Sequence, residues 1–385
     1  MRNGFKVFDA DTHLQPSVET LTSYMDAALR ARQPELEQFL RPVRFGRAGQ
    51  PLEPPYNHWY RFETSGGWGG DKPRHLGEAG PRDQEERRPQ SFQGSRYPSR
   101  YTEDWDVDTR IAEMDEEGVD VELMVHNAFI GHEDLSVDAG MIAAVHRFLD
   151  DVCSRYPDRL TSLITANARD VESAVTEIKT WGDSRWARGI ILDLPLGYPI
   201  DHPDLHPVWA AADDAGLTVV HHSFSSGYPG YRDLWDNPFI GRTASHPWAA
   251  MRMISAFLGA GLLDKYPNVN LAILESGFGW LPFYMKRMED QVHYMGYVAD
   301  GLRTMEEYMT GGRFFAAVVL HEGPEMMRMV SEFMGDHVLM FGSDFPHPES
   351  RFPDSVDLVL GWDQLDDDFK RRLFWDNPAS CFHWG

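Results

Sequence analysis

The sequence predicts a (β/α)8 (TIM) barrel with a long insertion after its first strand. From about residue 106 onwards, apolar strand-like segments alternate with segments of helical periodicity. With an N-terminal strand they give eight strands, which is the number in a (β/α)8 barrel. A doubly wound parallel sheet is the alternative, but the sequence lacks a glycine-rich phosphate loop after its first strand. The barrel is therefore the expected fold.

The predicted elements are bounded by turn residues. The first strand begins near Val7 and ends in an Asp-x-His pair. The other strands are expected at residues 118–125, 159–166, 189–195, 217–222, 268–275, 314–320 and 338–344. Pro207 and Gly216 are typical of the start and end of a helix, and a long helix is expected over residues 247–265. Each strand after the first is thus separated from the next by a helical segment.

Residues 46–104 interrupt this alternation. They are rich in Gly, Pro, Arg, Gln and Ser and show no clear period. A loop of this length is usually either a functional lid or a disordered segment. Tyr56, His58, Trp59 and Tyr60 favour a segment that folds over a site, and a surface insertion is the alternative. We therefore predict one barrel domain over residues 1–385, with 46–104 as an irregular insertion or lid.

Composition excludes several classes of partner. The 385 residues include 36 basic and 60 acidic side chains, which gives a net charge of −24 and disfavours nucleic acid and anionic membranes. No apolar run approaches the ~20 residues of a membrane helix. Cys153 and Cys381 form no metal or redox motif, and no signal peptide is expected before the first strand. A cytoplasmic location is expected.

Metal-ligating residue types stand at the ends of four predicted strands. Side chains two apart in a strand share a face, so the first pair can reach one point. In a barrel the carboxyl ends of all strands meet at one face. The residues at these four ends are Asp11 and His13, His221 and His222, Glu275, and Asp344 with His347. Burying unpaired charge is costly, so their coincidence predicts a site for a divalent metal.

Four segments of the sequence resemble the amidohydrolase-related family of the metal-dependent hydrolase superfamily. They read DADTHLQP, VVHHS, ASHPWAAMRMISAFLGAGLLDKYPNVNLAILESGFGWLPFYMKRMED and MFGSDFPHPESRFPDSV. The resemblance covers residues 1–20 and about 106–385. It implies a barrel enzyme whose relatives include hydrolases, hydratases and nonoxidative decarboxylases, among them aminocarboxymuconate-semialdehyde decarboxylase and the resorcylate-type decarboxylases.

The resemblance also implies roles for individual residues. Asp11 and His13 stand in the place of the first-strand metal pair, and His222 in that of the fifth-strand ligand. Asp344 matches the aspartate that both contacts the metal and moves protons. Glu275 stands where the decarboxylases tend to have histidine. All five are expected metal ligands.

The cofactor implied is a divalent metal, with Zn, Fe or Mn compatible with this oxygen-rich set. The carboxylates could hold two ions, with His246 and His347 completing a second site. One ion is favoured, because the fourth strand ends at Asp193 and not at the lysine that bridges binuclear sites. The second-rank candidates for metal or substrate are His221, His347, His126 and His321.

The first expectation for function is a metal-dependent hydrolase of an amide, ester, lactone or thioester. The metal would lower the pKa of bound water towards ~7. Asp344 would take its proton, with Glu275 also catalytic and His246 binding substrate. The alternative is a nonoxidative decarboxylase of an aromatic or unsaturated acid, and a non-enzymatic binding protein is disfavoured by the complete ligand set. The expected partner is a small carboxylic acid derivative, and the chain could pair as a homodimer.

Overall fold

Eight parallel strands follow one another around a nearly closed barrel, which confirms the predicted fold class. The computed structural model describes residues 1–14, 16–45, 51–60, 107–126, 130–195, 198–223, 238–296, 301–347 and 350–385. The barrel strands are β1 (Phe8–Leu14), β4 (Val121–His126), β5 (Leu160–Asn167), β6 (Ala187–Asp193), β7 (Thr218–His222), β8 (Leu271–Leu274), β9 (Phe314–Ala317) and β10 (Leu339–Met340). Backbone hydrogen bonds from Ala10 N to Phe341 O and from His13 N to Phe345 O connect the first strand to the segment that follows β10.

A two-stranded antiparallel ribbon precedes the second barrel strand. It consists of β2 (Leu40–Phe45) and β3 (Pro51–Tyr60). The prediction of an irregular insertion at 46–104 did not foresee β3, because its prolines and polar residues hide any strand periodicity. Residues 46–50 and 61–104 lie outside the described residues.

Helices cover the outside of the barrel. They are α1 (Val18–Thr22), α2 (Ala27–Leu36), α3 (Val107–Glu117), α4 (Leu135–Arg155), α5 (Val171–Trp181), α6 (His206–Asp214), α7 (Pro238–Gly259), α8 (Leu262–Lys265), α9 (Leu281–Tyr294), α10 (Met305–Thr310), α11 (Gly323–Met334), α12 (Ser355–Leu360), α13 (Asp367–Arg371) and α14 (Asn377–Cys381). None of the helices in the described ranges is long and apolar enough to cross a membrane.

One helix differs from its prediction. The helix expected over residues 247–265 begins nine residues earlier, at Pro238, and Pro247 lies inside it. It also ends at Gly259, and α8 starts after Gly261, whose φ of 65° lies in the left-handed region. Proline is common in the first turn of a helix, and this preference placed the predicted start too late.

Alternate strand residues fill the barrel interior. Leu163, Ile191, Val220 and Phe315 belong to this inner cluster, and the residues between them pack against the helices. Parallel strands buried on both faces in this way read as continuous apolar runs. The C-terminal segment closes the amino ends of the strands, where the Phe382 ring lies 5.9 Å from that of Phe8. The candidate functional site lies at the opposite end of the barrel, at the carboxyl ends of the strands.

Candidate active site

Five of the predicted ligands converge at the carboxyl ends of the strands. His13 Nε2 lies 2.9 Å from Asp344 Oδ1 and 3.7 Å from Asp11 Oδ1. His222 Nε2 lies 3.5 Å from Asp11 Oδ1 and 3.2 Å from Glu275 Oε2. All five side chains are buried or nearly so. Residues from four strands that are far apart in the sequence therefore share one small volume.

An irregularity in β1 turns the first pair into this volume. Phe8 points into the barrel interior, so strict alternation would send Asp11 and His13 to the helix side. The register between β1 and β4 shifts between Asp9 and Thr12. Such a bulge re-aims the residues that follow it, and bulges are common next to active sites.

Glu275 and Asp344 reach the same volume through unusual backbone conformations. Their φ angles are 45° and 60°, in the left-handed region that non-glycine residues seldom occupy. Leu274 points into the barrel, so alternation alone would turn Glu275 towards the helices. Strain of this kind costs about 1–3 kcal/mol and concentrates at functional sites. Asp344 is also tied to the first strand by a hydrogen bond from its N–H to Asp11 O (2.8 Å).

A cavity of about 370 Å³ is lined by three of the five converging side chains, those of Asp11, Glu275 and Asp344. Its volume lies within the range of small-molecule sites. Trp280, Thr243 and Val318 form part of its walls. A larger and more open groove of about 830 Å³ lies between Arg169 and Tyr198, but none of the predicted ligands lines it. The smaller cavity is therefore the candidate substrate site.

His347 belongs to this site. Its Nδ1 lies 2.5 Å from Asp344 Oδ1, and its ring centroid lies 3.9 Å from that of His13. The donor atoms of His13, Glu275, Asp344 and His347 all lie within 4.8 Å of one another, as do those of Asp11, His13 and His222. A side chain that the sequence placed in the second rank thus stands beside the predicted ligands.

The remaining candidate histidines divide into those that line the cavity and those that face the helices. His246 lines the cavity, with Nδ1 3.9 Å from Glu275 Oε1, and the exposed His321 lines it as well. Val220 points into the barrel, so alternation in β7 turns His221 away from His222 and towards the helices. Burial, with His222 and His246 nearby, lowers the pKa of His221 to about 3.

His126, predicted as a pocket-wall candidate, is not among the residues that line the cavity. Val125 points into the barrel, so His126 faces α4, where its ring lies 6.2 Å from that of His146. Its nitrogens lie 3.2 Å from Ser162 Oγ and 2.9 Å from Thr165 Oγ1. Burial lowers its pKa to about 3, so the ring is a neutral part of the packing between strands and helices.

The electrostatics of the cluster fit a divalent cation. Burial lowers the pKa of His13 well below its usual value and leaves a lone pair for a metal. Burial also opposes the charging of His222, but the carboxylates of Asp11 and Glu275 raise its pKa to about 10. The pocket therefore stabilises positive charge. Ligand atoms on one metal ion lie roughly 3–3.5 Å apart, which is close to the 2.9–3.7 Å separations found here.

Sequence reasoning missed a residue that supports this arrangement. Arg110 of α3 is buried, and its guanidinium donates to Glu122 Oε2 (2.7 Å) and to His13 O (3.1 Å). It also lies 4.9 Å from the ring centroid of Phe345, next to Asp344. An arginine on an amphipathic helix is usually solvent-exposed, so the sequence offered no signal for this contact.

The amidohydrolase family model matches residues 9–384. The chain belongs to the amidohydrolase family. The resemblance seen in the sequence motifs is thereby confirmed, and the protein is an enzyme of the amidohydrolase superfamily. The match covers all five residues of the cluster.

Two curated relatives resemble this amidohydrolase-family enzyme over part of its length. One is the 2-amino-3-carboxymuconate-6-semialdehyde decarboxylase of Dictyostelium discoideum, 23% identical over 251 residues, which are 63% of this chain and 67% of the relative. The other is the 6-methylsalicylic acid decarboxylase of Penicillium expansum, 24% identical over 180 residues, which are 46% of this chain and 52% of the relative. The chain thus spans about half to two thirds of the relatives it matches.

A solved structure with the same fold is the 5-carboxyvanillate decarboxylase of Novosphingobium aromaticivorans, complexed with manganese and 4-hydroxy-3-methoxy-5-nitrobenzoic acid. Its TM-score is 0.67 at 17% identity, and the match covers 99% of this chain and 97% of that one. At this identity the likeness shows the fold alone.

Proposed function

We propose that this amidohydrolase-family enzyme is a metal-dependent nonoxidative decarboxylase of a small aromatic or unsaturated carboxylic acid. The observation that carries this proposal is that both curated relatives described above are decarboxylases. The comparisons therefore favour the alternative drawn from the sequence over the hydrolase expected first. The hydrolase interpretation rested on the oxygen-rich ligand set that Asp11 and Glu275 create, and a ligand set by itself does not specify a reaction.

The five convergent side chains would hold the metal. Asp11, His13, His222, Glu275 and Asp344 combine carboxylate and imidazole donors, which suit manganese, iron or zinc. A bound divalent ion would supply a fixed positive charge that anchors the substrate carboxylate and offsets developing negative charge. The buried setting of the donors supports this assignment, because electrostatic interactions are strong where water is scarce.

We assign the proton transfer to Asp344. Its Oδ1 lies between His13 Nε2 and His347 Nδ1, at 2.9 and 2.5 Å. In its protonated form the carboxyl group gives a proton to the carbon that bears the substrate carboxylate, and an electron pair from the π system forms the C–H bond. The C–C bond then breaks, its electron pair returns to the π system, and CO2 leaves. Each turnover consumes one proton, and the partly exposed His347 links Asp344 to solvent.

The cavity walls suit a flat acid. Trp280 offers an aromatic surface whose position is fixed by a hydrogen bond from its Nε1 to Ser276 O (2.9 Å). Val318 adds apolar surface, and His246 and Thr243 supply polar groups along the same wall. Apolar surface combined with placed polar groups is the usual way in which a site orients a small ligand.

The proposal is tested with manganese-loaded protein and carboxyl-labelled [13C] hydroxybenzoates and unsaturated dicarboxylic acids. We expect labelled CO2 from at least one acid and, in D2O, deuterium at the carbon that lost the carboxylate. A parallel set of esters, amides and lactones serves as the comparison. Hydrolysis of that set without CO2 release from any acid would overturn the proposal in favour of the hydrolase.

A further inference from the structure

The turn that contains Glu275 is hydrogen-bonded to a side chain in the loop that follows the neighbouring strand β9. This turn, residues 275–280, joins β8 to α9 and supplies both Glu275 and Trp280 to the cavity. Phe278 N–H donates to Glu322 Oε1 (3.1 Å), and Gly279 N–H donates to Glu322 Oε2 (2.7 Å). Glu322 follows β9, so its carboxylate bridges two adjacent barrel loops. Hydrogen bonds to an ionised carboxylate are stronger than those between neutral groups.

The glycines of the turn make this approach possible. Gly277 has a φ of 70°, and a Cβ there would lie 2.5 Å from Glu322 Oε1. A Cβ on Gly279 would lie 2.9 Å from Glu322 Oε2 and 2.5 Å from Met326 Sδ. These distances are shorter than real Cβ atoms show. The two glycines of the Glu-x-Gly-x-Gly sequence are therefore explained by the Glu322 carboxylate, which lies too close to the turn for a Cβ at either position.

The turn is also held at its other end. Ser223, which follows His222, donates its hydroxyl hydrogen to Glu275 O. Ser276 Oγ donates to Leu274 O (2.9 Å). A left-handed non-glycine residue such as Glu275 persists only where its surroundings over-determine it. The contacts at both ends of the turn meet this requirement.

We propose that Glu322 is a positioning residue for the candidate metal centre. By binding the amides of Phe278 and Gly279 it fixes the turn that keeps the Glu275 carboxylate 3.2 Å from His222 Nε2. The inference rests on the proposed function in one respect, namely that Glu275 is taken as a metal ligand. Groups that orient ligands in this way affect metal affinity although they do not contact the metal.

Manganese affinity of the intact protein, measured by isothermal titration calorimetry, tests the inference. Glu322→Ala should weaken binding by roughly 10–100-fold. Glu322→Asp keeps the charge but is too short to reach the amides, and it should behave like alanine. Glu322→Gln keeps the length and one acceptor, and it should retain more affinity than the aspartate variant. The matched control is Glu325→Ala, an exposed glutamate on the same segment, which should bind manganese as the wild type does.

Hydrogen exchange gives a local readout that requires neither metal nor substrate. The amides of Phe278 and Gly279 should exchange faster in Glu322→Ala and in Glu322→Gln than in the wild type. Gly277→Ala displaces the same carboxylate and should reproduce both effects. Thermal unfolding of each variant identifies any that do not fold, and the glutamine variant then supplies the decisive comparison.

Unchanged manganese affinity and unchanged exchange in Glu322→Ala would overturn the inference. Wild-type affinity in Glu275→Gln would overturn it as well, because Glu322 could then not act through that ligand. If the wild type binds manganese but releases no CO2 from any acid, the proposed function fails while the positioning role stands. The two failures are therefore distinguishable.

Discussion

The Glu275 carboxylate lies 3.2 Å from Nε2 of His222, and it reaches that position only because its backbone is left-handed. The residue before it points into the barrel, and a regular strand would have turned Glu275 outward. Together with Asp11, this carboxylate holds the pKa of His222 at about 10 although burial opposes the charge. In the metal-free protein, His222 therefore carries a proton at neutral pH.

Metal binding should release that proton. A metal ligand must be deprotonated, so between about pH 8 and pH 9.5 we expect manganese affinity to rise by about tenfold per pH unit, with about one proton released per ion. Calorimetry in buffers of different ionisation enthalpy measures the release. His221→Gln serves as the control, because burial keeps that ring neutral and the release should not change. A pH-independent affinity in this window would contradict the assignment of His222 as a ligand.

Replacing Asp344 should abolish turnover without unfolding the protein. In Asp344→Asn the amide cannot deliver the proton, and loss of a positioned acid usually costs about 10²–10⁴-fold in rate. CO2 release measures activity, and circular dichroism measures the fold. Asp363→Asn, at an exposed position, should retain full activity. Full activity in Asp344→Asn would remove that residue from the mechanism.

The buried carboxyl of Glu117 should make stability depend on pH. Burial raises its pKa from 4.5 to about 7 even though it accepts a hydrogen bond from Val356 N (2.9 Å). The folded state thus binds the proton more tightly than the unfolded state, so stability falls as pH rises from about 4.5 to about 7, by about 3 kcal/mol.

Urea unfolding at pH 5 and pH 8 measures this difference. In Glu117→Gln the pH dependence of stability that Glu117 causes should disappear, and the variant should be more stable than the wild type at pH 8. Glu116→Gln, on the exposed side of the same helix, should keep the wild-type pH dependence. Equal pH dependence in Glu117→Gln and the wild type would rule out this origin.

The C-terminal segment should be essential to stability. Phe382 is fully buried against Phe8, and Cys381 O accepts hydrogen bonds from Thr218 Oγ1 (2.5 Å) and Asn270 Nδ2 (2.9 Å). Phe382→Ala should lower the free energy of unfolding by about 3–5 kcal/mol. The same substitution at the exposed Phe333 should change it little, and equal effects at the two positions would show that the segment does not seal the barrel.

The sequence was sufficient for the architecture because the barrel strands are buried on both faces and read as apolar runs. It also located the carboxyl ends of the strands closely enough to bring Asp11, His222 and Asp344 together. His126 shows the limit of this reasoning, because one position in a strand decides between the cavity and the helix layer.

Local backbone geometry was beyond sequence pattern. The bulge in β1 reverses the side of the strand on which Asp11 and His13 would lie by alternation. The left-handed φ angles of Glu275 and Asp344 set the directions of those two side chains. These backbone features depend on contacts between residues far apart in the sequence, such as those made by Glu322. Local sequence periodicity does not predict such contacts. The Gly-x-Gly spacing after Glu275 was the sequence feature that indicated such a contact.

Anomalous diffraction at the manganese edge, from crystals grown with Mn²⁺, tests the central claim most directly. We expect a peak within about 2.0–2.6 Å of ligand atoms from Asp11, His13, His222, Glu275 and Asp344. One peak would indicate a mononuclear centre, and a second peak near His347 would indicate two ions. A fully occupied peak elsewhere, or none in this cluster at saturating manganese, would contradict the account.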